Sequence, residues 1–507
     1  MNREMGKTLG FMLVALLLMG AAFLRLPDSR EAAADFKDQG LAFFPEFKDP
    51  FACTDLEVME FDASTASARQ FKVMLKDGKW VIPSHHNYPA DAKDRLAKTA
   101  AGVMDLTKDT IRSDRVEDHE SLGVLDPLDL KASLKGRGKR VTLRDKGEKV
   151  LADFIIGNEV RERPGQRYVR DPKSKRTYGV NVKADLSTKF ADWIETNLLK
   201  LDASHVRSVT FENHKVDPEQ GKIIDGETLR IARKDGAGPW ALDGGVGEGM
   251  ELNGEKLTSL TSALADLKIV GVRPKPLGLS RELKVSSSND VKPLTREDLQ
   301  SLVSKGFYPT KQGLFSNQGD VKIATDEGAV YTLRFGEVVF STGEELSAGS
   351  KDEGKEASKK KEGGGSGTES RYLMVTVAFD PTLIPEPEKP KPSLDIPDDP
   401  FQKNADDPKR VAEEKAAKEK AEREKAEREK TVADAEAKVT LLSERFAGWY
   451  YVTPGESFRS IALDRPGLLR KKGEKPAGAE DGMPPGFPGA GGHGGFPGGL
   501  PPGFGPG

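Results

Sequence analysis

The chain has 507 residues, with 78 Lys and Arg against 81 Asp and Glu and a net charge of −3. The broad basic footprint of a nucleic-acid-binding protein is absent, so no nucleic-acid partner is expected. A single cysteine, Cys53, excludes an intramolecular disulfide and argues against a cysteine-based zinc site. Hydrophobic residues make up 36% and charged residues 31%. That balance is polar for a wholly globular protein, so part of the length is expected to lie outside any core.

The first element is an uncharged apolar run, TLGFMLVALLLMGAAFL (8–24), preceded by Arg3 and Lys7 and closed by Arg25. Its length falls between a signal-peptide core and a full membrane span. Gly20-Ala21-Ala22 would suit cleavage, but an uncleaved signal anchor is the preferred reading. Residues 1–25 then form one transmembrane helix that attaches the protein to the membrane. Residues 26–54 are a linker, and the large body behind the short N-terminal flank is exported.

After the linker the chain reads twice. Short strands LEVMEF (56–61) and VRSVTF (206–211) precede LKDGKWVI (75–82) and RKDGAGPWAL (233–242). Each of the latter is a Lys-Asp-Gly turn followed by a strand carrying Trp80 or Trp240, and Asp-Gly between apolar runs marks a hairpin. A helix follows in each half, with Leu96, Ala100 and Val103 in one and Leu257, Thr261 and Leu264 in the other at i, i+4, i+7. Ile111-Arg112 and Val272-Arg273 come next. VTLRDKGEKVLADFIIG (141–157) then parallels VKIATDEGAVYTLRFG (321–336), each closing on a glycine, Gly157 or Gly336. Strands with Arg-Tyr follow, containing Tyr168 and Tyr372. Finally KFADWIE (189–195) is matched with RFAGWYY (445–451), pairing Phe190 and Trp193 with Phe446 and Trp449 on a helix face. The order of these pairs predicts a tandem duplication, 55–204 and 205–471. The fold class is α+β: a mostly antiparallel, β-rich module with packed helices, present twice behind one transmembrane helix. The tryptophans are expected to be core anchors in preference to ligand platforms.

Three segments interrupt the second copy. Residues 341–370 are charged and Gly-rich and predict a mobile insertion. PEPEKPKPSLDIPDDP (385–400) predicts a stiff, extended connection. Residues 406–443 predict a charged helix with Pro408 in its first turn and Glu414–Lys418, Glu419–Arg423 and Glu424–Arg428 at i,i+4. It is read as a solvated spacer, with a docking helix as the alternative. The Gly/Pro-rich tail, 472–507, predicts disorder.

The chain offers little that would carry catalysis. It has no P-loop, no HExxH and no GxSxG. His85-His86, ahead of Asn87-Tyr88-Pro89, is read as a solvent-exposed loop before a metal site. Gly245, Gly247 and Gly249 do not open a helix in a βαβ unit and signal no dinucleotide. No catalytic, cofactor-binding or metal-binding residue is nominated.

Over roughly residues 71–211 the sequence resembles the bacterial family called domain of unknown function 4340. The residues that carry the likeness are KDGKWVI, Asp105-Leu106, SLGVLDP (121–127), VTLRDKG, FIIG, RYVR and KFADW with Leu198-Leu199. The likeness is weaker in the second half, where SKGFYP (304–309) stands in place of SLGVLDP. The resemblance implies one N-terminal span, an extracytoplasmic body on the bacterial inner membrane, and genes beside ABC-2-type exporter subunits. The expected function is therefore that of a non-catalytic, membrane-anchored accessory or binding protein of an ABC-type transport system, with its permease and auxiliary subunits as partners. The alternative is an envelope structural protein acting through the charged helix and tail; an enzyme of unrecognised type ranks third.

Overall fold

The structure is a computed structural model. It describes residues 38–473 except 64–65, 218–221, 286–292, 311–312, 341–342, 349–368 and 387–407, together with Met12 and 14–16. Those four N-terminal residues are helical. The rest of the 8–24 run, residues 26–37 and the 474–507 tail lie outside the described residues, and among the described residues no helix is long and apolar enough to cross a membrane.

The first sheet begins as a meander of β1 (Cys53–Asp62), β2 (Ser67–Lys76) and β3 (Lys79–Ile82). Asp77 and Gly78 sit at φ 50° and 77°, and Lys76 pairs with Lys79 across them. This is the two-residue turn whose twist matches the flanking strands. After β4 (Tyr88–Pro89), helix α1 (Lys93–Met104) buries Leu96, Ala100 and Val103 against the sheet. The chain crosses to β5 (Thr110–Ser113) at the far edge. The short helix α2 (His119–Leu122) follows, and β6 (Lys139–Asp145) returns beside β1. A second meander, β7 (Val150–Glu159), β8 (Gln166–Arg170) and β9 (Thr177–Asn181), then closes against β5. The order is β4-β3-β2-β1-β6-β7-β8-β9-β5, with every neighbour antiparallel.

The second sheet uses β10 (Val206–Glu212), β11 (Thr228–Ala232), β12 (Ala241–Leu242), β13 (Gly271–Pro274), β14 (Asp320–Thr325), β15 (Ala329–Val339), β16 (Ser370–Phe379) and β17 (Trp449–Pro454). Its order is β12-β11-β10-β14-β15-β16-β17-β13. With β4 set aside, the two sheets have the same succession of strands. Helix α3 (Gly254–Ala265) sits between β12 and β13 as α1 sits between β4 and β5, and α4 (Arg296–Ser304) precedes β14 as α2 precedes β6.

The likeness extends to a single irregularity. The ladder shifts register after Ile156 in β7 and after Phe335 in β15, a bulge beginning at Gly157 or Gly336. A Cβ on Gly157 would overlap the Leu122 carbonyl oxygen, and one on Gly336 would overlap that of Lys305. Arg167 donates to the Gly157 carbonyl at 2.9 Å and 2.6 Å, and Arg371 donates to that of Gly336 at 3.1 Å. Each Arg-Tyr pair thus places its arginine on the bulge. The neighbouring Tyr168 is half-buried, while Tyr372 is buried with Phe307 and Tyr450 in a smaller apolar cluster on the second face of the second sheet.

The structure corrects the last pairing of the repeat. Phe190 and Trp193 lie in a 3-10 turn, Phe190–Trp193, after the first sheet is complete. Trp449 opens β17, which pairs with β16 and β13 as β9 pairs with β8 and β5. The counterpart of RFAGWYY is therefore the strand at 177–181, because long-range pairing fixes strand identity and a shared Phe-x-x-Trp does not. Phe446 does lie on a helix, α6 (Pro408–Ala447), and is buried. Trp240 precedes β12 in a longer loop and does not lie within a two-residue turn.

The insertions map onto two hairpins. The 160–165 link between β7 and β8 becomes 340–369 between β15 and β16. The 171–176 link between β8 and β9 becomes 380–448 between β16 and β17. Part of the first insertion is ordered as α5 (Gly343–Ala348). Helix α6 buries Val439, Leu442 and Phe446 against the sheet, whereas its described residues from 415 to 423 are exposed. The ion pairs along it run Lys415–Glu419 and Lys420–Glu424, and Arg428 turns to Glu386 instead of Glu424.

Alanine at Gly157 or Gly336 is expected to destabilise the protein by about 1–3 kcal/mol each, the usual cost of forcing atoms into a packed site. Gly448→Ala, where nothing lies within 4 Å, should be neutral. Calorimetric melting of the three variants checks this.

Candidate functional site

The apolar core runs without a break through both sheets. Trp193 is fully buried in it, and Trp80, Trp240 and Trp449 pack against it half-buried. At the seam, the Leu198 N–H donates to the Leu267 carbonyl at 3.1 Å. Tyr88 meets Trp449 edge-on with ring centroids 5.0 Å apart.

A cavity of about 390 Å³ opens beside this seam. Its floor is the end of the first sheet's inner face, built from the cross-strand pairs Val58–Phe71 and Glu60–Arg69. Residues 188–191 and His85 form the walls, and Val270 and Ser347 from the second half close it. Glu60 is paired with Lys139, and Arg69 with Asp62. Lys189 at the rim is exposed, and no carboxylate among the described residues lies within ion-pair reach of it. The floor is apolar at Val58–Phe71 and becomes charged at Glu60–Arg69 and the Lys189 rim, the usual make-up of a binding cleft.

His85 is not in an exposed loop, as its polar neighbours in sequence suggested. Its side chain is 3% exposed and stacks on Phe190 with centroids 4.6 Å apart and planes 7° from parallel. Nδ1 lies 3.1 Å from Ser84 Oγ and Nε2 lies 2.8 Å from Ser347 Oγ. Ser84 Oγ also accepts from the Lys72 N–H at 3.2 Å. A neutral ring with its hydrogen on Nε2 satisfies all three contacts. Burial first, then the charges of His86 and Arg273, lower the His85 pKa to about 4. His86 is exposed at φ 59° and donates from Nε2 to the Ala348 carbonyl at 2.7 Å. Both histidines therefore hold α5 of the second half against the first. Sequence gave no signal for this, because their partners lie 262 positions away. Among the described residues no cluster of metal-ligating side chains occurs.

Two further hollows are shallower in chemical content. One, about 350 Å³, lies at the start of α3 beside Trp240, whose ring carries Arg233 at 4.7 Å. The other, about 380 Å³, surrounds Asp38, Lys108, Arg176 and Tyr178. Burial raises the Asp38 pKa, but the Tyr178 hydroxyl and the Arg176 and Lys108 charges outweigh it and hold the carboxyl below its ordinary value. This cluster ties residue 38 to β9.

A protein-family model described as Domain of unknown function (DUF4340) matches residues 80–282. The match begins at Trp80 in β3, crosses the seam and ends at Glu282, just beyond β13. One match thus takes in parts of both sheets, where the sequence reading expected one copy of the family for each half. No curated protein and no solved structure matches the chain.

His85 makes stability pH-dependent in a defined sense. Its folded pKa, about 4, lies below the ordinary 6.5, so the unfolded chain binds the proton first. Stability from the neutral ring is full above about pH 6.5 and is lost as pH falls towards 4, by up to about 3 kcal/mol. Relative to wild type, His85→Gln should lose that part of the acid sensitivity, read from denaturant midpoints between about pH 7 and pH 4.

Proposed function

We propose that the chain is a tandem duplication of one α+β module acting as a non-catalytic, membrane-anchored binding protein, an accessory of an ABC-type transport system in the bacterial envelope. The observation that carries the binding role is the seam cleft, with its apolar floor, charged mouth and neutral, fully bonded histidine. The identical strand succession and the bulge glycines of the two sheets support the duplication. The apolar run at 8–24 supports the anchor and the extracytoplasmic body. The transporter association rests on the family resemblance.

A hydrolytic reading has one observation in its favour, the 2.8 Å contact between Ser347 Oγ and His85 Nε2. A serine nucleophile needs a base poised near working pH and a group behind it to stabilise the imidazolium. His85 has a pKa of about 4, and the group on its Nδ1 is the Ser84 hydroxyl. These features favour binding over catalysis. A fluorophosphonate probe should accordingly leave Ser347 unlabelled by peptide mass spectrometry; stoichiometric labelling there would favour the enzyme.

The accessory role is tested by crosslinking full-length protein in membranes, solubilising, and identifying what co-purifies. An ABC permease and ATPase are expected. Recovery of wall components alone, with an intact transporter left behind, would support the structural role instead. The charged arm is separable, because Glu386 and Arg428 lie 3.8 Å apart. Replacing 388–426 with a short Gly-Ser linker should change stability by less than about 1 kcal/mol, since its described residues from 415 to 423 are exposed. It should leave the transporter subunits bound, whereas a scaffold acting through the arm would lose its partners.

A further inference from the structure

The floor of the seam cleft ends at a strand edge with half its length unpaired. Strand β2 pairs with β1 from Ser67 to Met74, but β3 covers only Met74, Leu75 and Lys76 on its other side. The chain then turns away at Pro83, and Ser84 Oγ caps the Lys72 N–H. Backbone groups of an antiparallel strand point alternately to its two sides. Because the Lys72 N–H points away from β1, so do the N–H and C=O groups of Gln70 and Ala68. No described strand meets them, and residues 67–70 are exposed. An edge of this kind is a template for another strand.

The cleft beside this edge has what strand addition needs for selectivity, a side-chain pocket and a rim charge. Val58, Phe71 and Phe190 form an apolar seat, and Lys189 at its mouth is a cation without a partner among the described residues. Arg69 adds a second cation, already shared with Asp62. In strand addition the main chain supplies affinity and alternate side-chain pockets supply specificity.

We propose that the cleft takes up an extended peptide segment, which adds as a strand to the β2 edge at Ala68 and Gln70, seats one large apolar side chain over Val58, Phe71 and Phe190, and turns a carboxylate two residues away, on the same face of the strand, to Lys189. The proposal rests on the binding role assigned to this cleft and names the class of partner, an extended, acidic-apolar segment of another protein.

The test uses full-length protein in detergent and fluorescein-labelled peptides TVTFTETV, TVTLTETV and TVTFTKTV, read by anisotropy. A fourth probe is TVTFTETV N-methylated at alternate residues. The two acidic probes should bind, the lysine probe about tenfold more weakly, and the N-methylated one not at all. Lys189→Glu should reverse the preference between the acidic and basic probes. Ala68→Pro removes only an outward N–H, which an edge strand tolerates, and should weaken the acidic probes about tenfold. Ala191→Trp, at an exposed wall position, should block the cleft. Melting curves matching wild type establish that the variants are folded. No binding by either acidic probe at about 1 mM, or binding indifferent to both Ala68→Pro and Ala191→Trp, overturns the proposal. The broader role fails separately: transporter subunits that co-purify with wild type and Ala191→Trp alike leave the accessory role standing without this site. Peptide capture with no transporter subunit recovered leaves the site standing without that role.

Discussion

The Leu198 N–H bonded to the Leu267 carbonyl, Tyr88 set edge-on to Trp449, and the Tyr331 hydroxyl donating to the Leu199 carbonyl at 3.3 Å join the two sheets into one core. Arg445 Nη2 adds bonds to the Glu195 and Asn197 carbonyls, each at 3.2 Å. The two sheets are thus not independent domains joined by a linker. Burial of the aromatic rings at the seam excludes water, and an unpaired peptide group there would carry its full desolvation cost. The Leu198, Tyr331 and Arg445 donors at the seam therefore go to backbone carbonyls of the opposite half, which ties the two sheets together. The cleft inherits its shape from that junction, since Val270 and Ser347 close it from the second half.

Within each sheet, geometry is set by one residue whose lack of a side chain is required. The bulge at Gly157 or Gly336 lets the preceding turn press its carbonyl onto the strand, and the arginine of the next strand bonds the glycine carbonyl. Gly123 and Gly306, in those turns, take φ 72° and 82°, a backbone state that glycine adopts without strain. One bare position on the strand and one left-handed position on the turn together dock the loop onto the sheet. Repetition of the whole arrangement, down to the arginine, is hard to obtain from general β-sheet rules alone.

Much of this was legible in the sequence because it is local. Asp77-Gly78 specifies its hairpin by backbone preference, α1 and α3 declare themselves by apolar spacing, and the paired glycines and Arg-Tyr dipeptides mark equivalent strands. What could not be read is non-local. The Phe-x-x-Trp of 446–449 resembles that of 190–193, yet the two occupy different places, because β17 is identified by pairing with β16 and β13 across an insertion. His85 looked solvent-exposed among polar neighbours, and its burial depends on α5, which arrives from an insertion whose composition predicted only a loop. The cleft itself is assembled from six separated stretches, and no periodicity or spacing in the chain brings them together.

The insertions also explain why the two halves are not interchangeable. The first half connects β7 to β8 and β8 to β9 by short turns, one at each end of β8. In the second half the same two links are extended. One contributes α5, whose Leu346 carbonyl abuts the bare face of Gly271 and whose Ser347 reaches His85. The other contributes α6, which joins the core only from Val439 onward. The extended hairpin of the second half closes a cleft on the first half, and a neutral histidine holds the two together there. Charge on the remaining arm keeps α6 solvated beyond its docking point without perturbing that site, because its exposed ion pairs are worth little to the fold.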